Sequence, residues 1–386
     1  MTETSAAVWP DRHVPIDAVL AQCRAYQDSG VIDGILIPDQ LANFIPRQLW
    51  TAENSPLAAF MSDPDSLCDA FTVAPFIAAS VPGLKLHLTT DSVRRPPAEL
   101  VQAMLTLAYL TEGKATFEVG GGEVKQTGPY GHPTNQGMSR MKDLFQIFGK
   151  AVDGDGPFDH DGRRWKLNGA YLGGARPHRP TLWGLGGGPT LLDHVTSYAD
   201  GLAVAVPNAW PSPEFAADQI AAIRKQVEQK GRDPEKFRIG IWACTIMHDD
   251  QTLLAEALAN PILRFVCGAL GRTETDRWQH EGLPSPVPPG WAYYRDLLPY
   301  GMDDDFVADV VAAVTPEHVR KGFLCGSAAE VAAQVEPYVQ AGVDWVCAFD
   351  YLPVVGDPAD AANAIGRTID LCHLIKAFEM EATGPT

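Results

Sequence analysis

Segments with the composition of β-strands alternate with segments of helical periodicity along most of this 386-residue chain. Apolar and β-branched runs bounded by turn residues predict strands at 34–38, 70–79, 84–90, 115–119, 181–185, 201–206, 237–247 and 345–349. Amphipathic spacing predicts helices at 16–28, 97–111, 137–152, 191–199, 213–230, 328–341 and 358–378. This alternation indicates a parallel sheet covered by helices, either doubly wound or closed. The number of strand–helix units and the uniform composition favour an α/β fold of the (β/α)8 TIM-barrel type, as a single domain over residues 1–386.

Two segments interrupt the alternation. Residues 153–180 are rich in Gly, Pro and Arg, and residues 260–321 carry several Trp and Tyr residues among prolines. Long insertions into a barrel commonly form lids or subunit contacts near the site. We therefore expect both insertions on the C-terminal face of the barrel.

Composition restricts the class of partner. The net charge is −18, and no basic stretch offsets it, which argues against nucleic acid, because phosphate neutralisation needs clustered Lys and Arg. No apolar run reaches the roughly 18 residues of a membrane span. The seven cysteines are scattered without a C-x-x-C pair, as expected for reduced thiols in a cytoplasmic protein.

Polar residues follow several predicted strands directly. The strand at 115–119 runs into three glycines and then Glu123, and the strand at 34–38 is followed by Asp39 and Gln40. Thr89 and Thr90 end the strand that starts at residue 84. Because barrel enzymes carry their chemistry at the carboxyl ends of strands, these are candidate site residues. Arg94 and Arg95, which follow soon after, could bind an anionic ligand or balance acidic neighbours.

A second glycine cluster, Gly186, Gly187 and Gly188, lies between a predicted strand and a predicted helix. Backbone N–H groups at such a helix start can bind an anion without a basic side chain. Neither glycine cluster has the G-x-G-x-x-G spacing of a dinucleotide fold, and the chain has no P-loop or G-x-S-x-G motif. Histidines are spread through loops, so no metal site is predicted.

Taken together, these motifs resemble the luciferase-like superfamily of flavin and deazaflavin enzymes, and within it the F420-dependent oxidoreductases. Order and spacing agree over about residues 31–205, and closer similarity to the phthiodiolone ketoreductase type lies in residues 39–47 and 297–303. The resemblance rests on the segments Ile37-Pro-Asp39-Gln40, Arg94-Arg-Pro-Pro-Ala98, Phe117-Glu-Val-Gly-Gly-Gly-Glu123, Gly186-Gly-Gly-Pro189 and Tyr198-Ala-Asp-Gly201.

The resemblance implies coenzyme F420 at the C-terminal face, above a bulge at Leu88–Thr89 where the family has a non-proline cis peptide. It implies catalytic roles for Asp39, Gln40 and Glu123. The cofactor-binding residues implied are Asp39, Leu88, Thr89, Thr90, Glu123, Gln126, Gly186, Gly187, Gly188 and Thr190. The substrate pocket implied contains Asn43, Phe44, His87, Trp291 and Tyr294, and a homodimer is the family expectation.

One departure concerns proton transfer. Many relatives have His directly after the Asp, whereas this chain has Gln40, whose amide does not titrate. We expect an F420-dependent oxidoreductase that moves a hydride between the deazaflavin C5 and a fairly apolar carbonyl or unsaturated substrate. The alternatives are an FMN-dependent two-component monooxygenase of the same superfamily and a non-catalytic flavin- or deazaflavin-binding homologue.

Overall fold

The computed structural model describes residues 2–382. Met1 and residues 383–386, which the predicted domain range includes, lie outside the described part of the chain. The strands are β1 Glu3–Ala7, β2 Gly34–Pro38, β3 Lys85–Asp91, β4 Ala115–Gly120, β5 Phe158–Asp161, β6 Lys166–Ala170, β7 Thr181–Leu185, β8 Gly201–Val206, β9 Arg238–Met247, β10 Leu324–Gly326 and β11 Trp345–Asp350.

Eight parallel strands close into a barrel. Their order around it is β9, β11, β1, β2, β3, β4, β7 and β8, and pairing of β8 with β9 closes the ring. The short strand β10 adds to β9 outside this circuit. The predicted (β/α)8 TIM barrel is therefore confirmed.

Helices surround the barrel and cover its outer apolar face. They are α1 Ile16–Asp28, α2 Ala70–Ser80, α3 Pro97–Leu110, α4 Val124–Thr127, α5 Gly137–Asp153, α6 Pro189–Tyr198, α7 Pro213–Gln229, α8 Gln251–Ala259, α9 Pro261–Leu270, α10 Arg277–His280, α11 Tyr293–Asp296, α12 Asp304–Ala313, α13 Pro316–Gly322, α14 Ala328–Gln340, α15 Leu352–Val355 and α16 Ala361–Ala382. Most predicted elements agree with these bounds to within two residues.

The segment at 70–79, predicted as a strand, is wrong: it forms helix α2. Its buried positions, Ala70, Val73, Ala74 and Ile77, have helical spacing, and the side chain of Asp69 caps the first turn by accepting from the Thr72 N–H at 2.8 Å. The β-branched and aromatic content of the segment suggested a strand, but the cap and the periodicity decide for helix.

Other elements also differ from prediction. The strand β1, Glu3–Ala7, precedes the first predicted strand in the chain. Within the first insertion, β5 and β6 form an antiparallel hairpin. The second insertion is mainly helical and contains α9 to α13. Prolines and aromatic residues in that stretch obscured its short helices at the level of sequence.

The barrel interior is packed with large side chains and a buried polar network. Rings of Trp183 and Trp345 meet edge to face at 5.6 Å, and His87 stacks on Trp345 at 4.2 Å. Nδ1 of His87 lies 3.0 Å from Oε1 of Glu118, and its Nε2 lies 3.5 Å from Oε1 of Glu3. Burial opposes the charge of His87, but these two carboxylates outweigh that effect and raise its pKa.

The described residues were also compared with the requirements of a membrane-spanning helix and of a metal site. No single helix is long and apolar enough to cross a membrane, although α8 and α9, bent by 64°, satisfy the length and composition together. Within residues 2–382, no group of three or more His, Cys, Asp or Glu side chains is arranged to hold a metal ion.

Candidate active site

The carboxyl ends of β2 and β3 bring Asp39 and Thr90 together. These strands are parallel neighbours, with Pro38 opposite Thr89. The Asp39 N–H donates to the Thr89 carbonyl at 3.2 Å, and Oγ1 of Thr90 donates to Oδ2 of Asp39 at 2.8 Å. Asp39 is only 5% exposed. The structure thus places two of the predicted cofactor-binding residues in direct contact.

Two arginines also hold the Asp39 carboxylate. Arg94 Nη2 lies 3.0 Å from Asp39 Oδ2, and Arg95 Nη2 lies 3.5 Å from Oδ1. Arg94 also pairs with Asp91, and Arg95 with Asp69. Burial disfavours the charge of Arg94, but Asp91 and Asp39 outweigh this and raise its pKa. The sequence left open whether these arginines bind an anionic ligand or neutralise acidic neighbours. In this structure they neutralise acidic neighbours.

The glycine turn after β4 carries Glu123 to the same end of the barrel. Gly122 has φ of +83°, in the left-handed region that favours glycine. A side chain on Gly137, at the start of α5, would collide with the carbonyl of Gly121, so the helix packs directly on the turn. The Glu123 side chain remains 26% exposed. Its carboxylate is therefore accessible from the barrel mouth.

Sequence reasoning missed Lys125, a buried cation that contacts Glu123, Gln40 and Ala42. We call these four residues the Lys125 cluster. The Lys125 side chain is 1% exposed, and Nζ lies 3.2 Å from Oε2 of Glu123, 3.2 Å from Oε1 of Gln40 and 2.7 Å from the carbonyl of Ala42. Three acceptors match the three protons of an ammonium group. Nζ also lies 3.8 Å from the centre of the Phe44 ring. Burial lowers the pKa of Lys125, and Glu123 opposes that shift.

One sequence signal could have identified Lys125. It is the only cation in residues 115–130, two positions after the predicted site carboxylate. Its burial against the segment after β2 becomes evident only when β2 and β4 are placed in one barrel.

Gln40 is held with a defined amide orientation. Because an ammonium group only donates, the Gln40 atom facing Lys125 must be the acceptor Oε1. The Nε2 donors therefore point away from Lys125, and in the described part of the chain no acceptor lies within hydrogen-bond distance of Nε2. Gln40 can supply N–H donors to an oxygen atom at the barrel mouth.

Gln126 fixes the backbone next to Gln40. Its Oε1 accepts from the Leu41 N–H at 2.6 Å, and its Nε2 donates to the Ala42 carbonyl at 3.0 Å. The predicted cofactor contact for Gln126 remains a prediction. In this structure its amide positions the segment that carries Gln40.

The second glycine cluster forms an open helix start after β7, the strand next to β4 in the barrel. Gly188 precedes helix α6, and Pro189 is its first residue. A Cβ on Gly188 would meet no atom within 4 Å, and one on Gly187 would reach only Ala209 at 4.0 Å. Gly186 has φ of +125°. Thr190 is exposed in the first turn of the helix, so backbone and hydroxyl donors can both meet an anion there.

The predicted substrate-pocket residues do not gather at one place. Asn43 and Phe44 line a cavity at the C-terminal face, whereas His87 lies in the barrel interior on Glu118. The rings of Trp291 and Phe306 are stacked with their centres 6.2 Å apart, and Tyr294 is 49% exposed. None of these last three lines that cavity.

Two other tyrosines, which the sequence did not single out for the pocket, lie near Glu123. Burial raises the pKa of both Tyr293 and Tyr351, and the negative charge of Glu123 adds to both shifts. These phenols stay protonated at neutral pH and can act only as hydrogen-bond partners or proton donors there.

The expected cis peptide and bulge at Leu88–Thr89 are wrong for this structure. The register of β3 with β2 and β4 is continuous there, and the only cis peptide within residues 2–382 is Val206–Pro207. Continuous ladder pairing on both sides keeps β3 in regular extended conformation. Leu88 is fully buried, and Thr89 is 5% exposed.

Comparisons with known proteins agree with the barrel. The family model described as luciferase-like monooxygenase matches residues 4–345. A phthiodiolone/phenolphthiodiolone dimycocerosates ketoreductase of Mycobacterium sp. (strain JLS) is 28% identical over 317 residues, which is 78% of this chain and 80% of that protein.

Solved structures share the fold at lower identity. An F420-dependent secondary alcohol dehydrogenase in complex with an F420-acetone adduct has a TM-score of 0.72 and 17% identity, covering 97% of this chain and 99% of that one. A riboflavin lyase with modified FMN and riboflavin has a TM-score of 0.69 and 16% identity, covering 100% and 93%.

Proposed function

The chain belongs to the luciferase-like monooxygenase family, and from that premise we propose that it is a coenzyme F420-dependent oxidoreductase acting on a fairly apolar carbonyl or unsaturated compound. The observation that carries the proposal is the match, over 78% of the chain, to a protein named as a ketoreductase. The fold shared with an F420-dependent alcohol dehydrogenase supports the choice of cofactor.

The residues present fit the two polar ends of such a cofactor. A phosphate fits the start of α6, where Gly187 and Gly188 leave room for close approach and Thr190 is exposed. The ring fits the ends of β2 to β4, where Asp39, Thr90 and Glu123 lie. When bound in its reduced form, F420 supplies a hydride to the substrate carbon.

The chain's own residues would stabilise the negative charge that develops on the substrate oxygen and would supply the proton. Lys125 places a buried positive charge 3.2 Å from the Glu123 carboxylate and orients the Gln40 amide. The outward Nε2 donors of Gln40 can hydrogen-bond a carbonyl oxygen and stabilise the negative charge that develops on it. Tyr351, still protonated at neutral pH, is a candidate proton donor in place of the family histidine.

Binding of the two candidate cofactors tests the proposal first. The purified protein is titrated separately with F420 and with FMN while absorbance and fluorescence are followed. We expect saturable F420 binding and oxidation of reduced F420 when decanone is added. The Glu123→Gln variant should keep F420 binding and lose turnover, and the exposed Glu53→Gln variant should keep both. Tight FMN binding without F420 binding would overturn the proposal.

A second candidate is an FMN-dependent monooxygenase. The family description and a solved structure containing modified FMN favour it. In that case FMN would bind, and oxygen consumption would depend on an added flavin reductase. F420 binding without turnover of any carbonyl compound would favour the non-catalytic homologue. Homodimerisation stays a prediction of the resemblance, and sedimentation tests it. A cytoplasmic location stays a prediction of the cysteine pattern, and fractionation of the native cells tests it.

A further inference from the structure

A cavity of about 1440 Å³ opens beside the candidate active site. It lies between α1, the segment 43–67 after β2, helices α8 and α9, and the segment that follows β11. Small-molecule sites usually measure about 300–1,000 Å³. Neither Asp39, Thr90, Glu123 nor the Gly186–Gly188 turn lines it, so it is not the space assigned above to the cofactor.

The walls of the cavity are mainly apolar. Trp9 and Phe349 meet edge to face at 5.5 Å, and Trp50 and Leu57 add to the lining. At its lining, Phe60 is 59% exposed and Leu253 is 47% exposed. Large apolar side chains left in solvent at a cavity are a mark of ligand binding rather than of a closed core.

Two side chains in this lining, those of Asp350 and Arg367, carry a buried polar atom without a hydrogen-bond partner among residues 2–382. Oδ1 of Asp350, at the end of β11, accepts from Thr245 Oγ1 at 3.3 Å and from the N–H groups of Met247 and Leu352, each at 3.2 Å. Oδ2 of Asp350 is buried and, among residues 2–382, has no hydrogen-bond partner. Burial raises the pKa of Asp350 to about 7.

Arg367 of α16 is the second side chain. Its Nη2 donates to Asp360 Oδ2 at 2.6 Å, whereas its buried Nε has no partner among the described residues. Leaving such groups unpaired in an apolar environment is costly. A ligand hydroxyl supplies both the donor that Oδ2 of Asp350 lacks and the acceptor that Nε of Arg367 lacks.

The cavity adjoins the Lys125 cluster. Phe44 lines the cavity, and its ring centre lies 3.8 Å from Lys125 Nζ. Tyr351 lines it as well and is close enough to Glu123 for that carboxylate to raise its pKa. A molecule in the cavity can therefore present one end to the site at which reduction is proposed.

We infer that this cavity binds the aliphatic chain of an elongated substrate, and that Asp350 and Arg367 hold a hydroxyl group remote from the reacting carbonyl. The inference rests on the proposed function for the reaction but not for the binding. The occupant is a chain because the lining is mainly apolar, and the only buried lining side-chain atoms without a hydrogen-bond partner among residues 2–382 belong to Asp350 and Arg367.

Binding of decanol to the full-length protein, measured by calorimetry without cofactor, tests the inference. We expect saturable binding that weakens at least tenfold in Ala364→Phe, where a buried cavity-lining alanine of α16 is enlarged. Ala362→Phe is the matched control, because Ala362 is exposed on the same helix and does not line the cavity. Leu57→Trp narrows the cavity from a different segment. It tests the inference independently if the α16 variant does not fold.

The role of Asp350 and Arg367 is tested by comparing the affinity for a ligand that carries a hydroxyl with the affinity for one that does not. Decanol should bind more tightly than chlorodecane, and Arg367→Met should reduce that preference about tenfold, the usual range for one buried hydrogen bond. Absence of decanol binding, or equal affinity in Ala364→Phe, Leu57→Trp and wild type, would overturn the inference. Decanol binding without F420 binding would refute the proposed function alone, whereas F420 turnover without decanol binding would refute this inference alone.

Discussion

Nζ of Lys125 donates to Oε1 of Gln40 across 3.2 Å, joining the exit of β4 to the exit of β2. The contact fixes which end of the glutamine amide faces Lys125 and leaves the Nε2 donors directed away from it. It also brings a buried positive charge beside the position where the family resemblance leads us to expect a titrating histidine. An oriented, uncharged donor therefore occupies that position here.

Replacing Lys125 by Met should lower kcat with little change in KM. The variant frees the Gln40 amide to rotate and leaves the Glu123 carboxylate unpaired. A hydrogen bond to a charged group is worth about 1.5–3 kcal/mol, so we expect a loss of roughly 10- to 100-fold in kcat. Steady-state kinetics with reduced F420 measures the effect, with Lys114→Met as control because Lys114 is exposed. Unchanged kcat would remove Lys125 from the reaction.

Replacing Gln40 by His should introduce a new ionisation into the pH profile of kcat. Free histidine titrates near a pKa of about 6.5, and the adjacent Lys125 ammonium disfavours a second positive charge. The new midpoint should therefore lie below that value. Wild type, whose Gln40 amide does not ionise, should lack this step. Matching profiles for wild type and variant would contradict the prediction.

Gly188→Ala should weaken F420 binding without harming the fold. The backbone at Gly188 has φ of −71°, which any residue adopts, and an added Cβ meets open space. A methyl group there would instead occupy space needed by a phosphate at the start of α6. We expect about tenfold weaker F420 binding at unchanged melting temperature. Gly156→Ala, also in open space, is the control.

Glu3→Gln should reduce the sensitivity of the fold to acid. Burial by itself would raise the pKa of Glu3, but His87 and Lys85 lower it from 4.5 to about 2. The native carboxyl thus binds protons less readily than the unfolded one, and its stabilisation is present above pH 4.5 and lost as pH falls towards 2. The shift corresponds to about 3 kcal/mol at most.

Denaturant unfolding at several pH values measures this effect. The difference in unfolding free energy between wild type and Glu3→Gln should shrink as pH falls through that window. Glu53→Gln, at an exposed position, should show no such trend. A constant difference across the window would show that Glu3 is not held by the His87 network.

The sequence by itself determined the barrel and the approximate position of its functional end. Alternating periodicity specified the strand and helix order because each barrel strand is a short apolar run and each surface helix buries one stripe. The segment at α2 was misassigned because its β-branched residues have strand propensity, although the Asp69 cap and the helical spacing of Ala70, Val73, Ala74 and Ile77 specify a helix.

Only the tertiary structure decided which polar groups act together. Lys125 and Gln40 are 85 positions apart, and their contact exists because β2 and β4 flank β3 in one parallel sheet. The same closure buries Asp39 between two arginines and leaves Asp350 and Arg367 on the wall of a cavity. Local sequence specifies secondary structure through short-range periodicity, whereas burial and charge pairing depend on which strand ends become neighbours.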